Sequence, residues 1–287
     1  MEDATPPVET DGAVPTPDTG TPPPKPTCAQ SPLPLTRFPA ALRTTKSGRT
    51  FTGWGGAQSP GVAQRHPVIL IHGNGGTGDE WKPFRQYFCN AGYGDLEIWA
   101  ITFQDNSCVG MCSSGSNEEH AEELETLVSL VRSETQAKRV TLVAISMGVP
   151  TARYYMKFRG GLARDEVSVA YLVSGPNHGL PDCDVAGAAY WNVACAELSS
   201  SSWNDALNKP DETPNGQGDG APPEKAVVYR TVSFTEDPFF YTSSGDYVSS
   251  PKLQGADNLV LPGKKHAVID VNDLLTYLGK ATPKVIP

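Results

Sequence analysis

Residues 139–150 read RVTLVAISMGVP, and this short stretch decides the fold. Five apolar residues and one threonine precede Ser146, as in a buried strand. Gly148 follows two positions later. Pro150 is compatible with the start of a helix, because its missing N–H does no harm in a first helical turn. The stretch therefore predicts a serine on a sharp turn between a strand and a helix.

Apolar runs alternate with helical patterns from Arg65 onward. One amphipathic helix is predicted in NEEHAEELETLVSLVRSETQA, because its apolar residues fall on one stripe: Leu124, Leu127, Val128 and Val131. Six runs read as strands: HPVILIHG, LEIWAITF, RVTLVAI, VSVAYLVSG, AVVYRTVSF and NLVLPG. Continuous apolar runs between helices are typical of a parallel sheet covered on both faces. We predict an α/β fold with roughly six mostly parallel strands and helices on both faces.

The pattern also divides the chain. Residues 1–27 are rich in Pro, Thr, Asp and Glu and contain almost nothing to bury, which predicts a disordered tail or linker. Residues 28–287 are expected to form one catalytic domain. Within it, residues 179–225 break the alternation, as a lid or a substrate-binding insertion would, or as an inert surface excursion would.

Composition excludes some classes of partner. The net charge of −9 argues against nucleic acid as a partner, because phosphate contacts need a basic surface. No apolar run reaches about 18 residues, so no transmembrane helix is predicted. We expect a monomer.

The six cysteines predict disulfides, because their spacing lacks the tight pairs typical of zinc sites. We expect Cys108–Cys112 and Cys183–Cys195, with Cys28–Cys89 as the remaining pair; free thiols are the alternative. Disulfides indicate an oxidising compartment. Because no signal peptide is recognisable, we expect a secreted chain from which the signal has been removed.

Ser146 needs a base and an acid to become a nucleophile. On turns of this kind the acid and then the histidine follow the serine along the chain. Of five histidines, His266 alone lies between the last predicted strand and the last helix. The acid should follow the penultimate strand; Asp237 lies closer to that strand, and Asp246 is the competitor.

Two backbone amides should bind the oxyanion. One belongs to Met147, directly after the nucleophile. The other should come from the loop IHGNGGTG, where Asn74 is favoured and Gly75 is the alternative. His72 in this loop is expected to have a structural role. The loop lacks both G-K-[ST] and G-x-G-x-x-G, so a nucleotide site is not predicted.

These segments resemble the secreted bacterial class 2 lipases, which have the α/β-hydrolase fold. The resemblance rests on HPVILIHGNGGTGDEW, AISMG, LVSGPNHG, LNKPDETP and LQGADNLVLPGKKH, spread over residues 65–278. Small Bacillus-type lipases share the A-x-S-M-G turn and a similar acid loop, which supports Asp237. Ile145 stands where many relatives carry His, and Val149 where small lipases often carry Gly.

The resemblance implies serine-dependent hydrolysis of carboxylic esters without a cofactor. The implied substrate is a lipid ester or, because lipase-like extracellular polyhydroxybutyrate depolymerases are also similar around HGNG and SMG, a polyester. A non-catalytic binding protein with the same fold is the alternative of another class. Seven aromatic residues can line an acyl groove or a polymer-binding surface, although such residues are more often part of the core: Trp54, Trp81, Trp191, Trp203, Phe239, Phe240 and Tyr241.

Overall fold

A computed structural model describes residue 28 and residues 31–106, 115–180, 183, 193–241 and 247–280. The predicted tail, residues 1–27, lies outside these ranges. The strands are β1 Thr52–Gly55, β2 Val68–Ile71, β3 Ile98–Thr102, β4 Val140–Ile145, β5 Val167–Val173, β6 Val228–Phe234 and β7 Asp257–Leu261. The α-helices are α1 Lys82–Asn90, α2 Asn117–Thr135, α3 Gly148–Phe158, α4 Val193–Ser199, α5 Ser201–Asn208 and α6 Val271–Lys280.

The strands form one sheet in the order β1-β3-β2-β4-β5-β6-β7. All neighbouring pairs are parallel except β1 and β3. The mostly parallel sheet is the predicted architecture, and β4, which leads to Ser146, lies at its centre. The six predicted strands are all present.

The seventh strand, β1, is the difference from the sequence prediction. Its four residues, TGWG, have none of the apolar alternation that marks a strand. They pair with β3 so closely that a Cβ on Gly53 would lie 2.1 Å from the carbonyl oxygen of Ala100. The strand is fixed by the buried Trp54, whose Nε1 donates a hydrogen bond to the carbonyl of Gly78 at 2.6 Å.

Helices cover both faces of the sheet, which explains the continuous apolar runs. Successive strand residues point to opposite faces. In β2, Ile69 and Ile71 pack in the cluster that contains α2, whereas Val68 and Leu70 pack in the cluster that contains α1 and α6. All four residues of the predicted α2 stripe are fully buried: Leu124, Leu127, Val128 and Val131. The sheet is therefore covered by helices on both faces, and β4, which leads to Ser146, is buried between them.

Candidate active site

Ser146 lies on the turn that the sequence predicts. Strand β4 ends at Ile145, and α3 begins at Gly148. Between them Ser146 has a φ of 50°, in the left-handed region that non-glycine residues seldom adopt. Its backbone N–H donates to the carbonyl of Val173 in β5 at 2.8 Å, which holds this conformation. The side chain is thereby directed away from the strand.

Small residues beside the serine are required by the packing. A Cβ on Gly148 would lie 2.4 Å from the carbonyl oxygen of His72, and one on Gly73 would lie 2.9 Å from the Cβ of Ser146. Real Cβ atoms do not approach other atoms so closely. The serine turn and the loop after β2 therefore touch through their backbones, and both positions need glycine.

The structure brings three of the predicted site residues together. The Oγ of Ser146 lies 2.9 Å from the Nε2 of His266. The Nδ1 of His266 lies 2.9 Å from each carboxylate oxygen of Asp237. Because a neutral imidazole with its proton on Nδ1 donates to the carboxylate, its Nε2 is left to accept from the serine hydroxyl. The arrangement can remove a proton from Ser146.

Asp237 is almost completely buried, with 1% of the residue exposed. It lies in the turn that follows β6, and its Oδ1 also accepts the backbone N–H of Phe239 at 3.1 Å. These contacts orient the carboxylate towards the imidazole. The competing candidate, Asp246, lies outside the described residues.

The loop after β2 faces the serine. Gly73 and Asn74 line the same cavity as Ser146 and Met147, whereas Gly75 is not among the lining residues of the described chain. Met147 immediately precedes α3, whose N-terminal end favours negative charge. The two predicted oxyanion residues, Asn74 and Met147, therefore line the same cavity as the serine.

His72 holds this loop in the role that the sequence indicates. Burial lowers its pKa to about 4, so the ring is neutral at pH 7. Its Nε2 accepts the backbone N–H of Phe103 at 3.2 Å, which places the proton on Nδ1 for donation to the carbonyl of Gly73 at 2.7 Å. In a trans peptide the carbonyl of Gly73 and the N–H of Asn74 point in opposite directions. His72 therefore fixes the direction of the Asn74 amide.

A second loop contact supports His266, and the sequence analysis did not predict it. The hydroxyl oxygen of Ser174, at the end of β5, accepts the backbone N–H of Ala267 at 3.1 Å. Ser174 is fully buried, and both residues have left-handed φ angles, 46° and 53°. The contact is formed by the hydroxyl of the first residue of SGPN, residues 174–177, a pattern that does not by itself indicate such a role. The hydrogen bond joins the His266 loop, which follows β7, to the residue directly after β5.

The cavity at the serine has a volume of about 340 Å³. Leu180, Cys195 and Phe239 contribute its apolar lining, and Glu80 adds one carboxyl group. The ring of Phe239 lies 4.3 Å from that of His266 and is 43% exposed. Of the seven aromatic candidates, Phe239 lines this cavity; Trp54, Trp81 and Phe240 are core residues, and Trp191 lies outside the described residues.

A larger hollow of about 720 Å³ lies elsewhere on the molecule. Its lining is polar and includes Asp211, Glu212 and His178, whose Nε2 lies 2.9 Å from Glu212. Neither Ser146 nor His266 lines it. The smaller cavity is therefore the candidate active site, because Ser146 and His266 line it.

Among the described residues, two disulfides are present, Cys28–Cys89 and Cys183–Cys195, both as predicted. The third predicted pair, Cys108 and Cys112, lies outside the described residues. Within the described ranges, His, Cys, Asp and Glu form no group of three or more that could hold a metal ion. No helix in the same ranges is long and apolar enough to cross a membrane.

A central strand, a serine turn and a mostly parallel sheet define the class of the α/β-hydrolases. Residues 65–213 match the family described as Lipase (class 2), so the chain belongs to the class 2 lipase family. Membership of this family, with this fold, supports an ester hydrolase activity.

Solved structures with a similar fold include three ester hydrolases. The mature form of the Bacillus licheniformis lipase BlEst2 is 16% identical, with a TM-score of 0.55 over 76% of this chain and 93% of that chain. A Pyrococcus furiosus esterase is 14% identical, with a TM-score of 0.51 over 83% and 90%. A carboxylesterase of Nitrososphaera gargenis is 14% identical, with a TM-score of 0.51 over 83% and 97%. At these identities the likeness shows the fold.

Proposed function

We propose that this chain is a serine carboxylic-ester hydrolase that works through an acyl-enzyme, with Ser146, His266 and Asp237 as its catalytic triad. The observation that carries the proposal is the continuous line of hydrogen-bond distances, each 2.9 Å, from the Ser146 hydroxyl through the imidazole to the buried carboxylate. A protein that only binds a ligand needs no such line.

The reaction begins when Ser146 attacks the ester carbonyl while His266 takes the hydroxyl proton. The carbonyl oxygen becomes negatively charged, and the backbone amides of Met147 and Asn74 bind it. Asp237 keeps the imidazole in the required tautomer and stabilises the imidazolium.

The tetrahedral intermediate collapses when His266 gives its proton to the leaving alcohol. This step leaves an acyl group on the Ser146 oxygen. Water, deprotonated by the same imidazole, then attacks the acyl-enzyme and releases the carboxylic acid. The proposed reaction uses side chains and backbone amides of this chain and no cofactor.

We propose a lipid-type carboxylic ester as the substrate, in a secreted monomer; the two disulfides support the oxidising compartment. A polyester is the second candidate. It is supported by the exposed apolar residues Phe239 and Val268, since Phe239 lines the cavity and Val268 directly follows a lining residue, Ala267.

The test measures hydrolysis of p-nitrophenyl butyrate, p-nitrophenyl palmitate and a polyhydroxybutyrate film. Ser146→Ala should reduce ester hydrolysis by about 10⁴-fold or more. Asp237→Asn should reduce kcat by about 10⁴-fold, because the amide favours the wrong imidazole tautomer. Asp246→Asn is the matched control and should keep the wild-type rate.

Each outcome separates two alternatives. A fully active Ser146→Ala protein, or a wild type inactive on all three substrates, would refute the hydrolase proposal in favour of a binding role. A loss of activity in Asp246→Asn but not in Asp237→Asn would move the acid to residue 246. Clearing of the film would assign the protein to the depolymerases.

A further inference from the structure

One side of the candidate active-site cavity is an apolar wall formed by Leu180 and Cys195. Both residues line the cavity that contains the Ser146 hydroxyl. Leu180 is half-buried, and Cys195 is 9% exposed. Neither is in the triad or the oxyanion loop, so the reaction derived above leaves their role open.

The wall is fixed by the disulfide Cys183–Cys195. Cys183 also donates its backbone N–H to the carbonyl of Leu180 at 3.0 Å. One residue therefore holds both wall residues, Cys195 through a covalent bond and Leu180 through a backbone hydrogen bond. A displacement of Cys183 would therefore disturb both wall residues.

The wall packs directly against the nucleophile turn. Met147, which follows Ser146, shares a buried apolar cluster with Cys183, Ala194 and Cys195, and Leu180 packs against this cluster. The distance between the wall and the serine is thus set by close packing. Protein interiors pack as densely as organic crystals, so such a contact does not compress to admit a larger group.

The outer side of the wall rests on α2. The backbone N–H of Asn117, the first residue of that helix, donates to Glu197 of α4 at 2.7 Å. The side-chain amide of Asn117 donates to the carbonyl of Ala194 at 3.4 Å. Asn117 is fully buried, so both contacts are shielded from water. Helix α4, which carries Cys195, is consequently held from behind by a long helix.

We infer that the disulfide-held wall of Leu180 and Cys195 sets the size of the acyl group, and that it selects esters of short acyl chains. The inference rests on the proposed hydrolase function. The cavity of about 340 Å³ lies near the lower end of the range for small-molecule sites, about 300–1,000 Å³. A fixed apolar wall discriminates about 10-fold to 200-fold for each methylene group that it excludes.

The experiment compares kcat/KM for p-nitrophenyl butyrate and p-nitrophenyl palmitate, which differ only in the acyl chain. The wild type should prefer butyrate. Leu180→Ala should lower the butyrate-to-palmitate ratio by about tenfold or more, because it removes most of one wall side chain. The double variant Cys183→Ala/Cys195→Ala should shift the ratio in the same direction.

Cys28→Ala/Cys89→Ala is the matched control, because it removes the other described disulfide and leaves the cavity lining unchanged. Its ratio should stay within about twofold of wild type, a limit well below the discrimination of one methylene group. If Cys183→Ala/Cys195→Ala does not fold, the butyrate-to-palmitate ratio of Leu180→Ala alone tests the inference.

The inference is overturned if Leu180→Ala keeps the wild-type ratio, or if the control pair shifts the ratio as much as the wall pair. Failure of the proposed function has a different signature, which is unchanged hydrolysis in Ser146→Ala. Loss of activity in Ser146→Ala together with an unchanged ratio in Leu180→Ala would refute the wall and leave the hydrolase standing.

Discussion

Replacing Gly148 by alanine tests the packing that places the serine. Gly148 is the first residue of α3, and the added Cβ would lie 2.4 Å from the carbonyl oxygen of His72 and 2.9 Å from the Cγ2 of Ile71. Both atoms belong to the strand-and-loop segment that leads to Asn74. Either α3 or this loop has to move.

Two opposing effects determine how much Gly148→Ala changes the free energy of unfolding. Alanine is a better helix former than glycine by about 1 kcal/mol, so helix propensity alone predicts a more stable protein. Overpacking in a dense region costs about 1–3 kcal/mol, and here the nearest obstacle is backbone that cannot rotate away. The steric clash should outweigh the gain in helix propensity, so the free energy of unfolding should decrease by up to about 2 kcal/mol.

Gly279→Ala is the matched control, because Gly279 also lies in a helix, α6, and a Cβ there meets nothing within 4 Å. Thermal unfolding should show a lower Tm for Gly148→Ala and a slightly higher Tm for Gly279→Ala. A shift of about 2–4 °C is expected for each kcal/mol at this chain length. Gly148→Ala should also reduce kcat, since the displaced loop carries Asn74. A Tm equal to or above wild type with full kcat would refute the packing argument.

Ser174→Ala should lower kcat by up to about tenfold with little change in KM, because one buried hydrogen bond to the His266 loop is lost. Ser168→Ala, which removes a buried hydroxyl within β5, should keep kcat. Equal effects in both variants would count against a positioning role for Ser174. Burial lowers the pKa of His120 to about 4. Between about pH 6.5 and pH 4 the unfolded chain therefore binds more protons than the folded chain. The free energy of unfolding decreases as the pH is lowered through this range, by up to about 3 kcal/mol for this group. As the pH is lowered across that range, the Tm of His120→Gln should decrease less steeply than the Tm of the wild type. Equal slopes would contradict the lowered pKa of His120 as the cause.

The central part of the fold can be predicted from the sequence, because the residue patterns that indicate it lie in short local stretches. The run before Ser146 and the glycine after it predict the turn, since a turn this tight tolerates only small neighbours. His266 is also predictable, because the chain order of the catalytic residues limits the choice to one histidine. The favoured acid, Asp237, is the residue that the structure brings to His266.

Other features depend on contacts between distant segments, which leave no local pattern. Strand β1 has no apolar alternation, because two of its four residues are glycines that admit the backbone of β3. Leu180, Cys183 and Cys195 all lie within the predicted insertion, where Cys183 links Leu180 to helix α4 through its disulfide with Cys195. Sequence spacing predicts that Cys183 and Cys195 pair; it does not show that their bond lies beside Ser146.

The wall residues and the proposed triad residues lie in different segments that connect the strands of the sheet. Ser146 leaves β4, and Asp237 and His266 follow β6 and β7, whereas Leu180 and Cys195 lie in the long excursion between β5 and β6. Both ends of that excursion are anchored in adjacent, fully paired strands. Insertions, deletions or substitutions there can therefore change which esters are accepted while the bond-breaking residues keep their positions. Evolution, or a protein engineer, can retune substrate range in this scaffold independently of its chemistry.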